Sequence, residues 1–484
     1  MSRLISTALL LAAFEAFAVA PRYVFVFIGD GMSTPQRMVA EEFARKTGYG
    51  DLAMNHLPYQ ANTRTKSANA IITDSAAAAT AIACGEKTNN GMLGVDPATN
   101  RLVSVAEVAK RRGMKVGIVT TVTIVHATPA GFYAHRPRRG QTYRIALDLV
   151  DSGFDYFAGG GVYDKFDDRE DAEYRGNVFD LARKAGYAVA IDDRAAWEAL
   201  KPNTRSWSVF GSHGMQFAID ADGSQPSLAE LVAKGVEVMD GPDGFFMMCE
   251  GGKVDYAGHA NDAATNLRDV LALDAAVKVA LDFQGRHPDE TLVITTGDHE
   301  TGGLSMGFAG IGGKFRVELL ANQKTSTESF STRIKAIIGE RKGDISFDEV
   351  MPLLRDSFGF IFPGDAAAEG DPMLLTEADV KALREAFDKD VSYVRARLKD
   401  TTAHDVARRY VFAQAAKNVL NAHAGVGWSS GSHTALPTFT TAKGPGAEIL
   451  VGMEDNTDLG RRMKQLLGEA PARAGSQVRS GVVE

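Results

Sequence analysis

The sequence predicts an α/β protein built on a large central sheet whose strands are mostly parallel. Short apolar runs rich in β-branched and aromatic residues recur along the chain and indicate buried strands. These runs lie at residues 23–28, 116–121, 154–158, 244–249 and 291–296. Segments with helical periodicity separate them, for example at residues 103–112 and 266–283. Strands that alternate with helices in this way are typical of a parallel sheet.

A change of pattern after the last of these strands predicts an insertion. Within residues 304–425 the strand patterns give way to charged helical runs, for example at residues 377–398. Residues 21–303 and 426–468 are therefore assigned to the α/β core, and the helical insertion between them is expected to shape access to it like a lid. Residues 469–484 are expected to form a disordered tail.

The composition is that of an ordinary globular protein, and it narrows the chemistry. The 484 residues, of which 45% are hydrophobic, suffice for one large domain with an insertion. The net charge of −8 argues against nucleic-acid binding, and it suits anionic substrates only if bound cations invert the local field. Because Cys84 and Cys249 are the two cysteines, any metal ligands must be His, Asp or Glu side chains.

The N-terminus predicts an exported protein. Arg3 precedes the apolar residues 4–14, and Ala16-Phe17-Ala18 or Ala18-Val19-Ala20 matches a cleavage site, so residues 1–20 are assigned to a signal peptide. A plain N-terminal helix is the alternative. With a signal peptide, the mature chain would be periplasmic or secreted. Since no later apolar run approaches the ~20 residues that span a bilayer, we expect no membrane anchor.

Acidic residues and histidines follow three of the predicted strands, with glycines beside them. These candidate metal ligands are Asp30, Glu250, Asp255, His259, Asp298 and His299. Asp255 and His259 are four residues apart, a spacing that puts both side chains on one face of a helical turn. Because a parallel sheet gathers the carboxyl ends of its strands along one edge, we expect all six side chains to meet there. Each motif by itself would also suit a turn or a helix surface pair.

A serine at the start of an alanine-rich segment is the candidate nucleophile. Ser75 follows Asp74, and the alanines after it predict a helix over residues 76–84 that ends at Gly85. Ser75 would then lie at the helix N-terminus, where free backbone N–H groups favour an anion. In a second interpretation, Asp74 or Ser75 merely caps a core helix.

Two further segments add polar side chains. Thr128 follows the predicted strand at residues 116–121, and three arginines at positions 136, 138 and 139 form either a phosphate clamp or a surface patch. His433 follows Gly427-Trp428-Ser429-Ser430-Gly431, which formally matches the G-x-S-x-G motif of serine hydrolases. We expect no strand before this motif and no helix after it, so we interpret the loop as a support for His433.

The candidate ligands suit two kinds of cation. Histidines mixed with aspartates suit zinc, whereas an oxygen set such as Asp30, Thr128 and Glu250 suits magnesium. Two zinc ions about 4 Å apart would stabilise the attacking and leaving oxygens of an in-line phosphoryl displacement. Ser75 would attack as a metal-bound alkoxide, and the three metal charges would offset the acidic net charge.

This constellation resembles the alkaline phosphatase family from Tyr23 to about Met453, with the insertion matching only in position. The serine segment together with Gly85-Glu86-Lys87-Thr88-Asn89-Asn90-Gly91 is a specific signature of that family. The resemblance implies a large mixed, mostly parallel central sheet between helix layers, and a homodimer. It also implies hydrolysis of phosphate monoesters, with inorganic phosphate as a product.

The resemblance further implies roles for single residues. Ser75 would be the phosphorylated nucleophile, with Asp74 beside it. Arg139, which lies 11 residues after Thr128, would hold the phosphate. One zinc ion would be held by Asp255, His259 and His433, the other by Asp30, Asp298 and His299, and magnesium by Asp30, Thr128 and Glu250.

Two positions vary within the family and bear on the choice of metal. His126 stands where some members have aspartate, and a histidine there should weaken the water shell of the magnesium. Tyr256 stands where others have a lysine or histidine that contacts phosphate through water. Replacement of zinc by cobalt or manganese is therefore compatible with this sequence.

Two alternative functions remain open at this point. A phosphodiesterase or phosphonate hydrolase of the same superfamily would share the metal ligands but lack the matching arginine. A protein that binds metal but has no catalytic activity would not need a nucleophilic serine. A sulfatase is disfavoured, since Ser75-Ala76-Ala77 does not match the C/S-x-P-x-R context.

Overall fold

Fourteen strands are present in the computed structural model, which describes residues 20–163, 165–309, 311, 313, 315–366, 370–399 and 411–469. They are β1 (Tyr23–Gly29), β2 (Tyr59–Arg64), β3 (Lys115–Thr123), β4 (Tyr156–Gly160), β5 (Ala188–Ile191), β6 (Ser206–Val209), β7 (Phe245–Gly251), β8 (Thr291–Gly297), β9 (Glu300–Thr301), β10 (Leu304–Met306), β11 (Val426–Trp428), β12 (His433–Thr434), β13 (Thr438–Lys443) and β14 (Gly452–Asp455).

Ten of these strands form one mixed sheet in the order β14-β2-β13-β8-β1-β7-β3-β4-β6-β5. The seven strands from β8 to β5 are parallel to one another, β13 is antiparallel to both of its neighbours, and β14 is parallel to β2. The sheet is thus mixed and mostly parallel, which confirms the predicted fold class.

The same described residues contain fifteen α-helices. They are α1 (Thr34–Thr47), α2 (Ser75–Cys84), α3 (Val105–Arg111), α4 (Ala127–Ala130), α5 (Thr142–Ser152), α6 (Val178–Lys184), α7 (Arg194–Glu198), α8 (Leu228–Met239), α9 (Lys253–His259), α10 (Ala263–Arg286), α11 (Thr327–Glu340), α12 (Phe347–Phe358), α13 (Glu377–Lys399), α14 (Val411–Ala424) and α15 (Asn456–Leu466). Short 3₁₀ turns lie at Ala53–His56, Ala218–Asp220, Val317–Asn322 and Ala447–Ile449.

Helices cover both faces of the sheet. Alternate residues of its central strands point to opposite sides, and because these residues are apolar, each face needs a covering layer. On β1, Phe25 and Phe27 join an apolar cluster with residues of α1, α8 and α10. Their neighbours Val24 and Val26 join a second cluster with residues of α2, α3, α5 and α15. β1 is buried along its whole length. The predicted arrangement of a sheet between helix layers is confirmed.

The segment between β10 and β11 carries the helices α11 to α14. β10 and β11 pair in antiparallel register, with Leu304 opposite Trp428, and so close the base of this segment. Its phenylalanines, such as Phe330 and Phe412, belong to the same apolar cluster as α1 and α10. The first three residues of the predicted insertion, 304–306, are therefore strand rather than helix.

The ends of the chain and the last strands differ from the sequence expectations. The predicted signal peptide and tail lie outside the described residues, apart from residues 20 and 469. The strands β2 and β13 were not predicted from the sequence. Among the described residues, no helix combines the length and the apolar character that crossing a bilayer requires.

The last helix packs directly on the helix that carries the serine. Gly460 of α15 lies so close to α2 that a β-carbon added there would be 2.5 Å from the backbone nitrogen of Gly85 and 2.7 Å from the carbonyl oxygen of Ile82. Because both neighbours are backbone atoms, a side chain at this position can be accommodated only if one helix moves.

We expect Gly460→Ala to lower the free energy of unfolding by about 1–3 kcal/mol, because the added methyl group displaces α15 from α2. Gly339→Ala in α11 is the matched control, since a β-carbon there meets nothing within 4 Å and alanine favours the helix. Denaturant unfolding of both variants at the same metal content measures the effect. Equal stability of Gly460→Ala and the parent would contradict the close contact.

Candidate active site

The site lies where three adjacent parallel strands end. Within the sheet β1 is flanked by β7 and β8, and the register aligns Gly29 with Gly251 and with Gly297. Asp30 follows β1, Glu250 lies at the end of β7, and Asp298 follows β8. Each of these three carboxylates is completely buried. The sheet register therefore brings Asp30 together with two acids that lie more than 200 residues later in the sequence.

Close packing of the backbone lets these acids meet the neighbouring helix. Gly31 has a φ of 70°, in the left-handed region that glycine tolerates best. A β-carbon at this position would lie 2.7 Å from the Thr301 hydroxyl and 3.0 Å from the backbone of Asp255. The glycine that follows Asp30 is thus required for both its backbone conformation and its lack of a side chain.

Ser75 begins helix α2, as predicted, and its side chain is 2% exposed. Its hydroxyl oxygen lies 3.1 Å from Nε2 of His299. Asp74 caps the helix by accepting a hydrogen bond from the Ala77 N–H at 3.0 Å, and its other carboxylate oxygen pairs with Nη1 of Arg139, also at 3.0 Å. Asp74 therefore caps the helix and also pairs with the arginine.

The ionisation of Asp74 follows from these contacts. Burial opposes the charged form, but the Ala77 N–H and the Arg139 guanidinium outweigh it and hold the pKa of Asp74 below its usual range. The carboxylate therefore stays charged and holds Arg139 next to the start of α2.

The first group of candidate ligands, Asp30, Asp298 and His299, contacts the serine through His299. Nε2 of His299 lies 3.2 Å from Oδ1 of Asp30 and 3.4 Å from Oδ2 of Asp298. On the other side of the ring, Nδ1 lies 3.3 Å from the Thr301 hydroxyl. Burial lowers the pKa of His299 to about 4, so its imidazole is neutral at the pH of most measurements.

The second group consists of Asp255 and His259 from α9 together with His433. Nε2 of His259 lies 3.4 Å from Asp255 and 3.2 Å from Nε2 of His433, which in turn is 3.6 Å from Asp255. Nδ1 of His259 lies 2.8 Å from the Gly431 carbonyl, and Nδ1 of His433 lies 2.9 Å from the Thr73 carbonyl. Since a carbonyl can only accept, Nδ1 carries the proton in both rings and the Nε2 lone pairs face Asp255.

Two short antiparallel strands, β9 and β12, position His433 beside His299. β12 pairs with β9 so that His433 lies opposite Thr301, and the His433 ring stacks on the His299 ring with 3.7 Å between centroids. β11 leads into the loop before His433, so the expectation that no strand precedes the G-x-S-x-G match was wrong. No helix follows that match, and β12 follows it instead.

The third group lies behind Asp30. The Thr128 hydroxyl donates to Asp30 at 3.4 Å, and Nδ1 of His126 lies 3.7 Å from Asp30 and 3.8 Å from Glu250. Nη2 of Arg139 donates to Nε2 of His126 at 3.0 Å. Because Nε2 accepts this hydrogen bond, the ring proton lies on Nδ1, and in this arrangement the ring presents a donor to the two carboxylates.

Tyr256 borders this third group. Its ring centroid lies 6.0 Å from that of His126, and the two rings meet edge to face. Burial and the neighbouring Tyr163 hydroxyl raise the pKa of Tyr256 well above its usual range. The phenol is therefore neutral, and it adds no charge at the position.

The buried acids lack partners for their charge. Oδ1 of Asp30, Oε1 of Glu250 and Oδ2 of Asp298 are buried and accept no hydrogen bond from the described residues. Burial and the neighbouring carboxylates raise the pKa of Asp30 well above its usual range and that of Asp298 to about 7. Buried charges without partners are costly, and bound cations would remove the cost.

The donor atoms suit the cations that the sequence indicated. In each of three groups the ligand atoms lie within 4.8 Å of one another: Asp255, His259 and His433; Asp30, Asp298 and His299; and Asp30, His126 and Glu250. The first two mix imidazole and carboxylate donors, which zinc prefers. In the third, the Thr128 hydroxyl and two carboxylates give the oxygen-rich set that magnesium prefers.

Sequence reasoning missed several residues that support the ligands. The Thr301 hydroxyl donates to Oδ1 of Asp255 at 2.5 Å, and the Thr120 hydroxyl donates to Glu250. Glu300, although next to His299 in the sequence, accepts hydrogen bonds from Gln36 and the Gly303 backbone and so braces the loop. Nothing in the pattern around residues 297–303 distinguishes a bracing acid from a ligand.

Comparison with known proteins places the chain among enzymes of one kind. The family model described as "Alkaline phosphatase" matches residues 21–468. Alkaline phosphatase 3 of Bacillus subtilis (strain 168) is 30% identical over 456 residues, which cover 92% of this chain and 88% of that protein.

Solved structures of alkaline phosphatases also superpose on this chain. The cold-active alkaline phosphatase of Shewanella sp. is 25% identical and superposes with a TM-score of 0.77 over 92% of this chain and 100% of that one. The alkaline phosphatase of Thermus thermophilus is 27% identical, with a TM-score of 0.74 over 96% of each chain.

We expect Asp298→Asn to stabilise the metal-free protein by about 1–3 kcal/mol at pH 8.5. The pKa of Asp298 is raised from about 4 to about 7, so the folded state loses stability as the pH rises between these values and the carboxylate ionises. Asparagine keeps an oxygen for the Gly31 and His299 N–H groups and never ionises. The gain should therefore grow from about pH 4 to pH 7 and stay constant above.

Unfolding curves of chelator-treated protein from pH 5 to pH 9 measure this gain, with the exposed Asp243→Asn as the control. With zinc added, the parent should become more stable than Asp298→Asn, because it binds the cation better than the variant does. A variant that is less stable than the parent in the absence of metal would contradict the charge repulsion at this site.

Proposed function

Because this chain belongs to the alkaline phosphatase family, we propose that it hydrolyses phosphate monoesters through a covalent phosphoserine on Ser75. Family membership makes it a metal-dependent phosphoric monoester hydrolase. The observation that carries the serine mechanism is the position of the Ser75 hydroxyl, at a helix N-terminus and 3.1 Å from His299 within a group of cation ligands.

We further propose that two zinc ions and one magnesium ion bind per chain, with cobalt or manganese as possible substitutes. Asp255, His259 and His433 would hold one zinc ion, and Asp30, Asp298 and His299 the other; magnesium would be held by Asp30, Thr128 and Glu250. When bound, zinc would favour the ionised serine and offset the charge on the attacking and leaving oxygens. The unpartnered buried oxygens and the inward-facing Nε2 atoms support this assignment.

The reaction would proceed in two displacements at phosphorus. In the first, the Ser75 oxygen forms a bond to phosphorus as the bond to the alcohol oxygen breaks, and the alcohol leaves on the side opposite Ser75. In the second, water attacks the phosphoserine, which releases inorganic phosphate and regenerates the hydroxyl. Arg139 would hold the non-reacting phosphoryl oxygens through its planar pair of N–H groups.

Arg139 is positioned for this role by two neighbours. Asp74 pairs with Nη1, and His126 accepts from Nη2, so the guanidinium is fixed on two sides. His126 thus connects the phosphate-binding arginine to the magnesium ligands. At position 126, a histidine that replaces an aspartate would bind the waters of a magnesium ion weakly, because it adds no negative charge. Tyr256, which is neutral, would contact phosphate only as a hydrogen-bonding group.

We also propose that the mature chain is a homodimer in the periplasm or outside the cell, after removal of residues 1–20. The resemblance supports the dimer, and the N-terminal pattern supports export. Residues 21–303 and 426–468 would form the catalytic core, with residues 304–425 as a lid-like helical insertion.

We expect Ser75→Ala to lose at least about 10³-fold in kcat for p-nitrophenyl phosphate while keeping its metals, because only the nucleophile is removed. Ser429→Ala, in the formal G-x-S-x-G match, is the control and should retain full activity. Steady-state rates and metal analysis measure both. Unchanged turnover by Ser75→Ala would remove this serine from the mechanism.

The parent should also prefer p-nitrophenyl phosphate to the diester bis-p-nitrophenyl phosphate. A diester rate that exceeds the monoester rate would favour the phosphodiesterase alternative. Bound zinc without release of phosphate at pH 8–10 would favour the non-catalytic one.

His433→Ala should lower the zinc content to about one ion per chain, because it removes one of three protein ligands from the second group. The matched control is His423→Ala, whose imidazole contacts the Pro372 carbonyl and Asp379 in the insertion and should leave the zinc content unchanged. Metal analysis after equilibration with zinc measures the number of ions bound per chain in each variant. Two zinc ions retained by His433→Ala would contradict the ligand assignment.

A further inference from the structure

A neutral cleft of about 360 Å³ opens beside the second ligand group. It lies between helix α14, the end of β10–β11 and the turn after α9. The side chains that matter for its chemistry are Asn261, Asn418 and Asn421, with the rings of Phe308 and Trp428. None of the described residues that line it is ionisable.

The wall of this cleft is joined to the ligand His259. Asn261 lies two residues after His259, and its amide donates to the carbonyl oxygens of Gly258 at 3.1 Å and Ser430 at 2.8 Å. His259 itself is held by the next carbonyl, that of Gly431, at 2.8 Å. The cleft and the metal ligand thus share one support, the turn at residues 430–431.

Exposure of the ligands shows on which side the site opens. Asp30, Asp298 and His299, beside Ser75, are completely buried. In the second group the exposed fraction of the side chain rises from 15% at His433 to 40% at His259. In an in-line displacement the alcohol leaves opposite the nucleophile. This difference in exposure points to an exit for the organic part of a substrate past His259, and the cleft residue Asn261 follows His259 by two positions.

The residues of the cleft indicate what this organic part is. The Asn418 side chain is exposed and makes no hydrogen bond to any residue that the structure describes, so its amide is free to donate and accept. Phe308, which is 40% exposed, offers an apolar ring face at the other wall. Amides paired with ring faces suit a compound that carries many hydroxyl groups on a carbon skeleton. The absence of ionisable side chains from the described lining disfavours a charged leaving group.

We propose that this cleft binds the leaving group and selects phosphate monoesters of uncharged polyols about the size of one sugar ring. The volume, near the lower end of the ~300–1,000 Å³ range of small-molecule sites, limits the leaving group to that size. The proposal rests on the proposed monoesterase function of the same site. It adds a substrate class and makes Asn418 and Phe308 determinants of specificity.

The test compares two esters of primary alcohols, glucose 6-phosphate and ethyl phosphate, so that the chemistry at phosphorus is matched. In the parent enzyme the ratio of their kcat/KM values should favour glucose 6-phosphate by about tenfold or more. Asn418→Ala and Phe308→Ala should each lower this ratio about 3- to 10-fold. Gln414→Ala, one turn earlier on α14 and outside the cleft, is the control and should leave the ratio unchanged.

A charge introduced at the same position gives a second, independent readout. Asn418→Asp should raise kcat/KM for glucosamine 6-phosphate, whose amino group is cationic, relative to glucose 6-phosphate by about 3- to 10-fold. A variant that merely disturbed the structure would not favour the amino sugar. If both esters are hydrolysed but the ratios of their kcat/KM values are the same in the parent and in the variants, the proposal is overturned. If the parent hydrolyses neither ester, the proposed monoesterase function fails, and the leaving-group proposal fails with it.

Discussion

Repulsion between buried carboxylates is the interaction on which the rest of this structure depends. Asp30, Glu250 and Asp298 are completely buried at the ends of three neighbouring strands, and each has an oxygen without a hydrogen-bond donor among the described residues. A folded chain can keep such charges only if they are protonated or neutralised by cations. In the proposed mechanism the same cations would allow a serine to act as a nucleophile without a histidine base, so the cost to stability and the source of catalysis would have one origin.

The fold makes this arrangement rigid. Parallel strands in fixed register hold the acids, and the β9–β12 pair brings His433 against His299 from the far end of the chain. Hydrogen bonds to carbonyl oxygens orient the imidazoles, and Thr301 and Glu300 brace the loop that carries them. Preorganised ligands of this kind need no rearrangement when a substrate binds. The serine helix is held in the same way, because α15 packs on it at Gly460.

Much of this could be predicted from the sequence, because the central strands are apolar and the acids follow them directly. The helix at Ser75 and its end at Gly85 follow from alanine propensity and glycine conformation. The strand β13 could not be found, since its sequence, TFTTAK, looks exposed. In the structure its threonines are buried, and Thr440 bonds to the hydroxyls of Thr63 and Thr296, each at 2.7 Å. The partition of ligands into groups came from family resemblance, and the contact of His126 with Arg139 needs three-dimensional coordinates.

The most direct test of this account is anomalous diffraction at the zinc absorption edge from crystals of the metal-loaded protein. We expect two strong peaks, one bounded by Asp255, His259 and His433 and the other by Asp30, Asp298 and His299, with Ser75 beside the second. Absence of anomalous density at these two positions, or density instead at the outer cluster of Glu41, Asp51 and His56, would contradict it.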